Sequence, residues 1–216
     1  MRTQLLVGAL SLFVLSTAAC STTGGASASS GAAAAAKSAK VTETKAALRD
    51  LWLGHIVSIR NVAVATMDKN ASAREAAEQT VVANAQQIAG SIEPFYGKPA
   101  SDKLFTLLAG HYGAVREHLD ATAAGDAAGQ DLAVKHLTSN AGEISAFLSG
   151  ANPNWPKDTV MSLLTAHAAH HLTQFQQLKD ADYVREAETW RGMKSHIYVV
   201  ADALTDGLAA QFPNKF

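Results

Sequence analysis

Histidine is the residue type whose spacing here could do chemistry. Eight are present in the 216-residue chain, and His55, His111 and His167 recur at one interval of 56. Neutral imidazole binds copper, zinc, nickel and haem iron. Each of the three closes a similar apolar stripe: Leu48-x-x-Leu51-Trp52-x-x-His55, Leu104-x-x-Leu107-Leu108-x-x-His111 and Val160-x-x-Leu163-Leu164-x-x-His167. A side chain that continues such a stripe at helical spacing faces inward. His118 follows on the second element, and His170 and His171 on the third. His167 and His171 are one turn apart, a spacing at which two imidazoles can chelate one ion. The candidate ligands are therefore His55, His111 and His167, joined by His118, His170 and His171, with His136 and His196 last.

What surrounds these residues narrows the chemistry. No glutamate follows His167, so the His-Glu-x-x-His arrangement of hydrolytic zinc sites is missing. Without Cys-x-x-Cys-His, any haem is held non-covalently. There is no Gly-x-Ser-x-Gly elbow, phosphate-binding glycine loop or dinucleotide fingerprint, and no catalytic residue is assigned. Arg60 and Arg116 follow their histidines by five; they could hold a carboxylate or a haem propionate, or read as partly exposed helix-face residues paired with a glutamate or with helix-end carbonyls. Met67, Met161 and Met193 are scattered and read as core fillers.

The elements that must position these groups are helices. Apolar residues recur at three and four, and prolines and glycines gather in two interruptions, 93–99 and 150–156. With softer breaks between them, this predicts helices at about 44–67, 72–93, 101–123, 129–149, 157–178 and 182–211, the second opened by a Ser72–Glu75 capping box. The even helices repeat too: Asn84-Ala85-x-x-Ile88 matches Asn140-Ala141-x-x-Ile144, and His196 stands at the third asparagine position. The expected fold is all-α, a bundle of about six antiparallel helices built from three tandem 56-residue helical hairpins. The three leading histidines would lie at one level, and ring nitrogens of at least two must come within about 5 Å to share an ion. Trp52, Trp155, Trp190, Phe95 and Tyr96 are expected to plug an open end of the bundle.

Residues 1–19 read as a signal peptide: Arg2, an apolar stretch from Leu5 to Leu15, then Thr17-Ala18-Ala19 before Cys20. This resembles the lipobox of bacterial lipoproteins, with Thr17 where leucine is usual. The resemblance implies that Cys20 is the lipid attachment site and mature N-terminus, and Ser21 after it resembles outer-membrane sorting. Residues 20–40, rich in Ser, Thr, Gly and Ala, are expected to be a flexible tether, and 41–216 the helical domain. The expected location is the cell envelope, lipid-anchored to the outer membrane and facing the periplasm. One cysteine permits no internal disulfide, and a net charge of −1 gives no electrostatic reason for nucleic acid binding.

Leu51-Trp52-x-x-His55, Pro94-Phe95-Tyr96-Gly97, Asn152-Pro153-Asn154-Trp155-Pro156 and the closing Gln211-Phe212-Pro213-x-Lys215-Phe216 together resemble an uncharacterised group of exported bacterial helical proteins. That resemblance implies one helical domain and brings no activity with it. Three readings stay open on the residues alone. One is an envelope lipoprotein binding a transition metal (copper, zinc or nickel) or non-covalent haem, for storage, buffering, sensing or delivery. The others are a metal-free scaffold with core histidines and an unknown protein partner, and a metalloenzyme using the same histidines.

Overall fold

The computed structural model describes residues 25–216, with side chains from Ala34 onward. Its signal-peptide and Cys20 assignments fall outside the described residues. The described chain is helical throughout: α1 (Gly25–Met67), α2 (Ala71–Gly90), a one-turn α3 (Glu93–Tyr96), α4 (Lys98–Ala124), α5 (Ala127–Ala151), α6 (Lys157–Lys179) and α7 (Tyr183–Gln211). The compact unit described below is Ala36–Phe216. No helix among the described residues is long and apolar enough to cross a membrane.

The segment expected to be tether is helical from Gly25, and Ala34–Lys40 form exposed turns of α1. An alanine run has the highest helix propensity, and beside an established helix it needs only propagation, not a costly new nucleus. One expectation, the cap of the second helix, needs correction. The second helix is capped by Asn70, whose side chain accepts from the Ala73 amide at 3.1 Å, and Ser72 bonds to that cap. The capping box on Ser72 therefore does not form. Asn70 directly follows Lys69, which turns the chain at φ 55°, and so it occupies the first position able to cap.

The long helices pair as α1 with α2, α4 with α5 and α6 with α7, and α6 also packs on α4 and α5. One polar bond recurs in all three pairs. Asn84 Nδ2 donates to the Leu51 carbonyl at 2.9 Å and Asn140 Nδ2 to Leu107 at 3.0 Å, while His196 Nε2 lies 2.9 Å from the Leu163 carbonyl. Each clasped carbonyl belongs to the residue one turn before His55, His111 or His167. Close approach is required at these clasps. A Cβ on Gly54 would stand 3.1 Å from the Asn84 amide nitrogen, and one on Gly110 3.2 Å from that of Asn140. Where histidine replaces asparagine, the corresponding residue is Ala166.

The first and last helices close on each other. Arg49 makes a two-pronged bond to Asp202 at 2.7 and 2.6 Å, Arg60 another to Glu186 at 2.7 and 2.9 Å, and Lys45 reaches Asp206 at 2.9 Å. At one end of the bundle the aromatics form the expected plug: Tyr96 and Phe95 pack on Phe212, Phe95 stacks on Phe216, and Trp155 lies 6.0 Å from Tyr96. The Tyr96 hydroxyl donates to Gln211 at 2.6 Å and accepts from Asn152 at 3.0 Å. Trp190 is not part of this plug; it lies under the Arg60 guanidinium, 5.6 Å away.

Candidate metal centre

The clasps hold the histidine-bearing turns, and the packing of α1 on α6 brings two of them face to face. His55 Nε2 and His167 Nε2 are 3.3 Å apart. His171, one turn further along α6, sets its ring edge-on to both, with centroids 4.6 Å from His167 and 6.0 Å from His55. One nitrogen from each of the three lies within 4.8 Å of the others, and all three side chains are buried. Two metal–nitrogen bonds of about 2.0–2.1 Å meeting at a tetrahedral angle would hold their nitrogens about 3.3–3.4 Å apart. His55 and His167 already have that separation. Closing all three on one ion asks the outermost ring to turn inward by about 1 Å. Three close, buried histidines that could hold a metal ion are thus present.

The third member is His171, in place of the expected His111. Neighbours one turn apart on a helix sit about 5–6 Å apart at Cβ, whereas a third helix stands off by about 8–10 Å between axes. His111 flanks the group: its ring is stacked 6.1 Å from His167, and both of its nitrogens are buried without a partner. His118 is not with them. Its Nδ1 pairs with the Thr122 hydroxyl at 3.2 Å and its ring lies 6.3 Å from Phe175. His170 turns to the other side of α6, 5.6 Å from His196. His136 is exposed and bonds Glu117 at 2.6 Å.

Burial holds these imidazoles neutral. It pushes His55 down to about 3, with His111 nearby adding to the effect, and His111 down to about 4 against a smaller upward pull from Asn140. His167 and His171 lie well below the ordinary histidine range, again through burial first and the neighbouring imidazoles second. Neutral imidazole is the form that coordinates.

The chemistry left undone at this site is the most telling observation. Both nitrogens of His111, both of His171 and Nδ1 of His167 are buried without a hydrogen-bond partner. Each unsatisfied buried polar group costs about 1–3 kcal/mol, and an ion held by one nitrogen of each of His55, His167 and His171 would relieve one of the five, on His171. A cavity of about 20 Å³ lies against His55, His111 and His167, walled otherwise by Trp52, Tyr112 and aliphatic side chains. It has room for a water-sized group and not for a porphyrin.

A second buried polar feature was not legible as such in the sequence. Glu186, 3% exposed, takes both prongs of Arg60 and accepts from Gln174 Nε2 at 2.8 Å. Gln174 stands one turn beyond His171 on α6, and its Oε1 has no partner. Arg60 was expected to pair with a glutamate, but Glu186 sits in the first turn of α7, where an acid looks like a partner for the helix dipole. Arg116 pairs with Glu78 at 3.3 Å. Met67, Met161 and Met193 pack in apolar clusters. The chain matches no protein-family model, no curated protein and no solved structure.

Proposed function

We propose that this chain is an envelope lipoprotein, anchored through Cys20, that holds one transition-metal ion between His55, His167 and His171 for storage, buffering, sensing or delivery. The observation that carries the reading is the convergence of those three buried imidazoles from α1 and α6, with nitrogens within 4.8 Å of one another. The donor set consists of neutral nitrogens without carboxylate or thiolate. Glu186, the carboxylate on the same side of α6, is already neutralised by Arg60. A buried cation with no counter-charge costs in proportion to the square of its charge, which favours monovalent copper over divalent zinc or nickel. The 20 Å³ cavity beside His55 and His167 has no room for haem.

The metal-free scaffold draws support from one observation. Ligand histidines usually pass their second nitrogen to a carbonyl or carboxylate, and neither His167 nor His171 does so. One preparation separates the two readings: untagged protein expressed with its leader in copper-supplemented cells, assayed for metal content and for membrane association. One copper per chain is expected, falling at least tenfold in His167→Leu, and Cys20→Ala is expected to leave the membrane fraction. A metal content well below one for the unaltered protein across copper, zinc and nickel would leave the scaffold reading in its place.

A further inference from the structure

The small cavity beside the histidines has a larger neighbour. A cavity of about 80 Å³ lies toward the aromatic plug, and Trp52, Ile88, Leu108, Ile144 and Leu164 line both spaces. No charged side chain lines either. The lining of the inner chamber includes Trp52, whose buried Nε1 lacks a partner, and His111. The walls of both spaces are therefore largely apolar, and the inner one is bordered by Trp52 and His111, whose ring nitrogens could donate.

Resting on the metal reading above, we infer that the site is open, and that the inner chamber admits a neutral diatomic molecule as a further ligand of the ion. Three protein nitrogens leave at least one position of a four-coordinate ion free. The chamber volume matches one small molecule. The aliphatic walls formed by Val81, Ala85, Ile88 and Leu164 disfavour a charged ligand, since an anion crossing them would lose its hydration without a counter-charge. A bound diatomic presents a terminal atom with lone pairs, and the indole N–H of Trp52 or an N–H of His111 is the donor available to it. His111 is then a positioning residue beside the ion and not one of its ligands.

The test uses the full domain loaded anaerobically with Cu(I), carbon monoxide as the probe, and the infrared C–O stretch as the readout. One carbonyl per copper is expected. Ala85→Leu, which fills the chamber from α2, should keep its copper and weaken carbon monoxide binding at least tenfold; Ala85→Val provides a milder version if the larger side chain impairs folding. Trp52→Phe or His111→Leu should keep copper and shift the band, because a donor to the bound molecule is removed. Copper bound normally with no carbonyl band would overturn the inference while leaving the metal site standing. Loss of copper from His111→Leu would show a closed four-histidine site and overturn it equally. Failure of the unaltered protein to take copper would remove both readings together.

Discussion

Each buried imidazole couples the site to acidity. The four histidines of the centre have folded-state values below the ordinary 6.5, His55 near 3 and His111 near 4. Below about pH 6.5 the unfolded chain takes up protons that the folded chain refuses, so their contribution to stability is intact above that pH and is lost as pH falls toward the folded values. Each such group costs about 1.4 kcal/mol per pH unit in that window. Four together would exhaust a typical stability of about 5–15 kcal/mol within roughly two units. The metal-free protein is expected to unfold cooperatively between about pH 5 and 4 in urea titrations monitored by circular dichroism, and His111→Leu to flatten that dependence by about a quarter. A metal-free midpoint that does not move between pH 7 and 5 would contradict the burial. At this scale the sequence was informative but incomplete. The apolar stripes identified His55 and His167 as inward-facing, and the one-turn spacing singled out His171. Which of His111 and His171 completes the group depends on how far α4 stands from α1, and no spacing along a helix encodes that distance.

The recurring clasp is what turns three helix pairs into matched holders. Asn84 and Asn140 each grip a carbonyl one turn before a leading histidine, at 2.9 and 3.0 Å. Because the geometry is the same, Asn84→Ala and Asn140→Ala should each cost about 1–2 kcal/mol by denaturant midpoint, and their costs should agree within about half a kcal/mol. Markedly unequal losses would mean that the two hairpins are not equivalent in packing. Helix positions were well marked in the sequence because proline and glycine punctuate the chain where helices end; Gly125, for instance, closes α4 in the left-handed conformation at φ 73°. The start of α2 was misplaced by a single residue because Asn70 and Ser72 are both good caps.

The charged pairs between α1 and α7 determine whether the whole bundle stays shut. Their partners differ in exposure. Arg60 keeps about a third of its side-chain surface in solvent, while Glu186 keeps 3%. Removing Arg60 therefore strands a buried carboxylate, whereas removing the carboxylate leaves a guanidinium that can reach water. Arg60→Met is expected to cost about 3 kcal/mol and Glu186→Gln about 1 kcal/mol, with part of the Arg60→Met loss recovered as pH drops and the stranded acid protonates. Equal costs for the two would show that Glu186 finds another partner. This pairing spans 126 residues, so no local pattern could have announced it.

The same closure bears on when the centre comes into being. His55 and His167 are 112 positions apart, and the helix that locks α1 in place is the last to be made. A chain emerging from a ribosome or a translocation pore holds His55 long before its partner exists; α1 then packs on α6 through Ile59, Val62 and Phe175, and α7 adds the ion pairs that tie α1 down. The three-histidine cluster is thus completed late in folding, and before that only the His167–His171 pair on α6 could engage an ion. On the metal reading, whichever compartment hosts the final folding step also decides which metal the protein meets first.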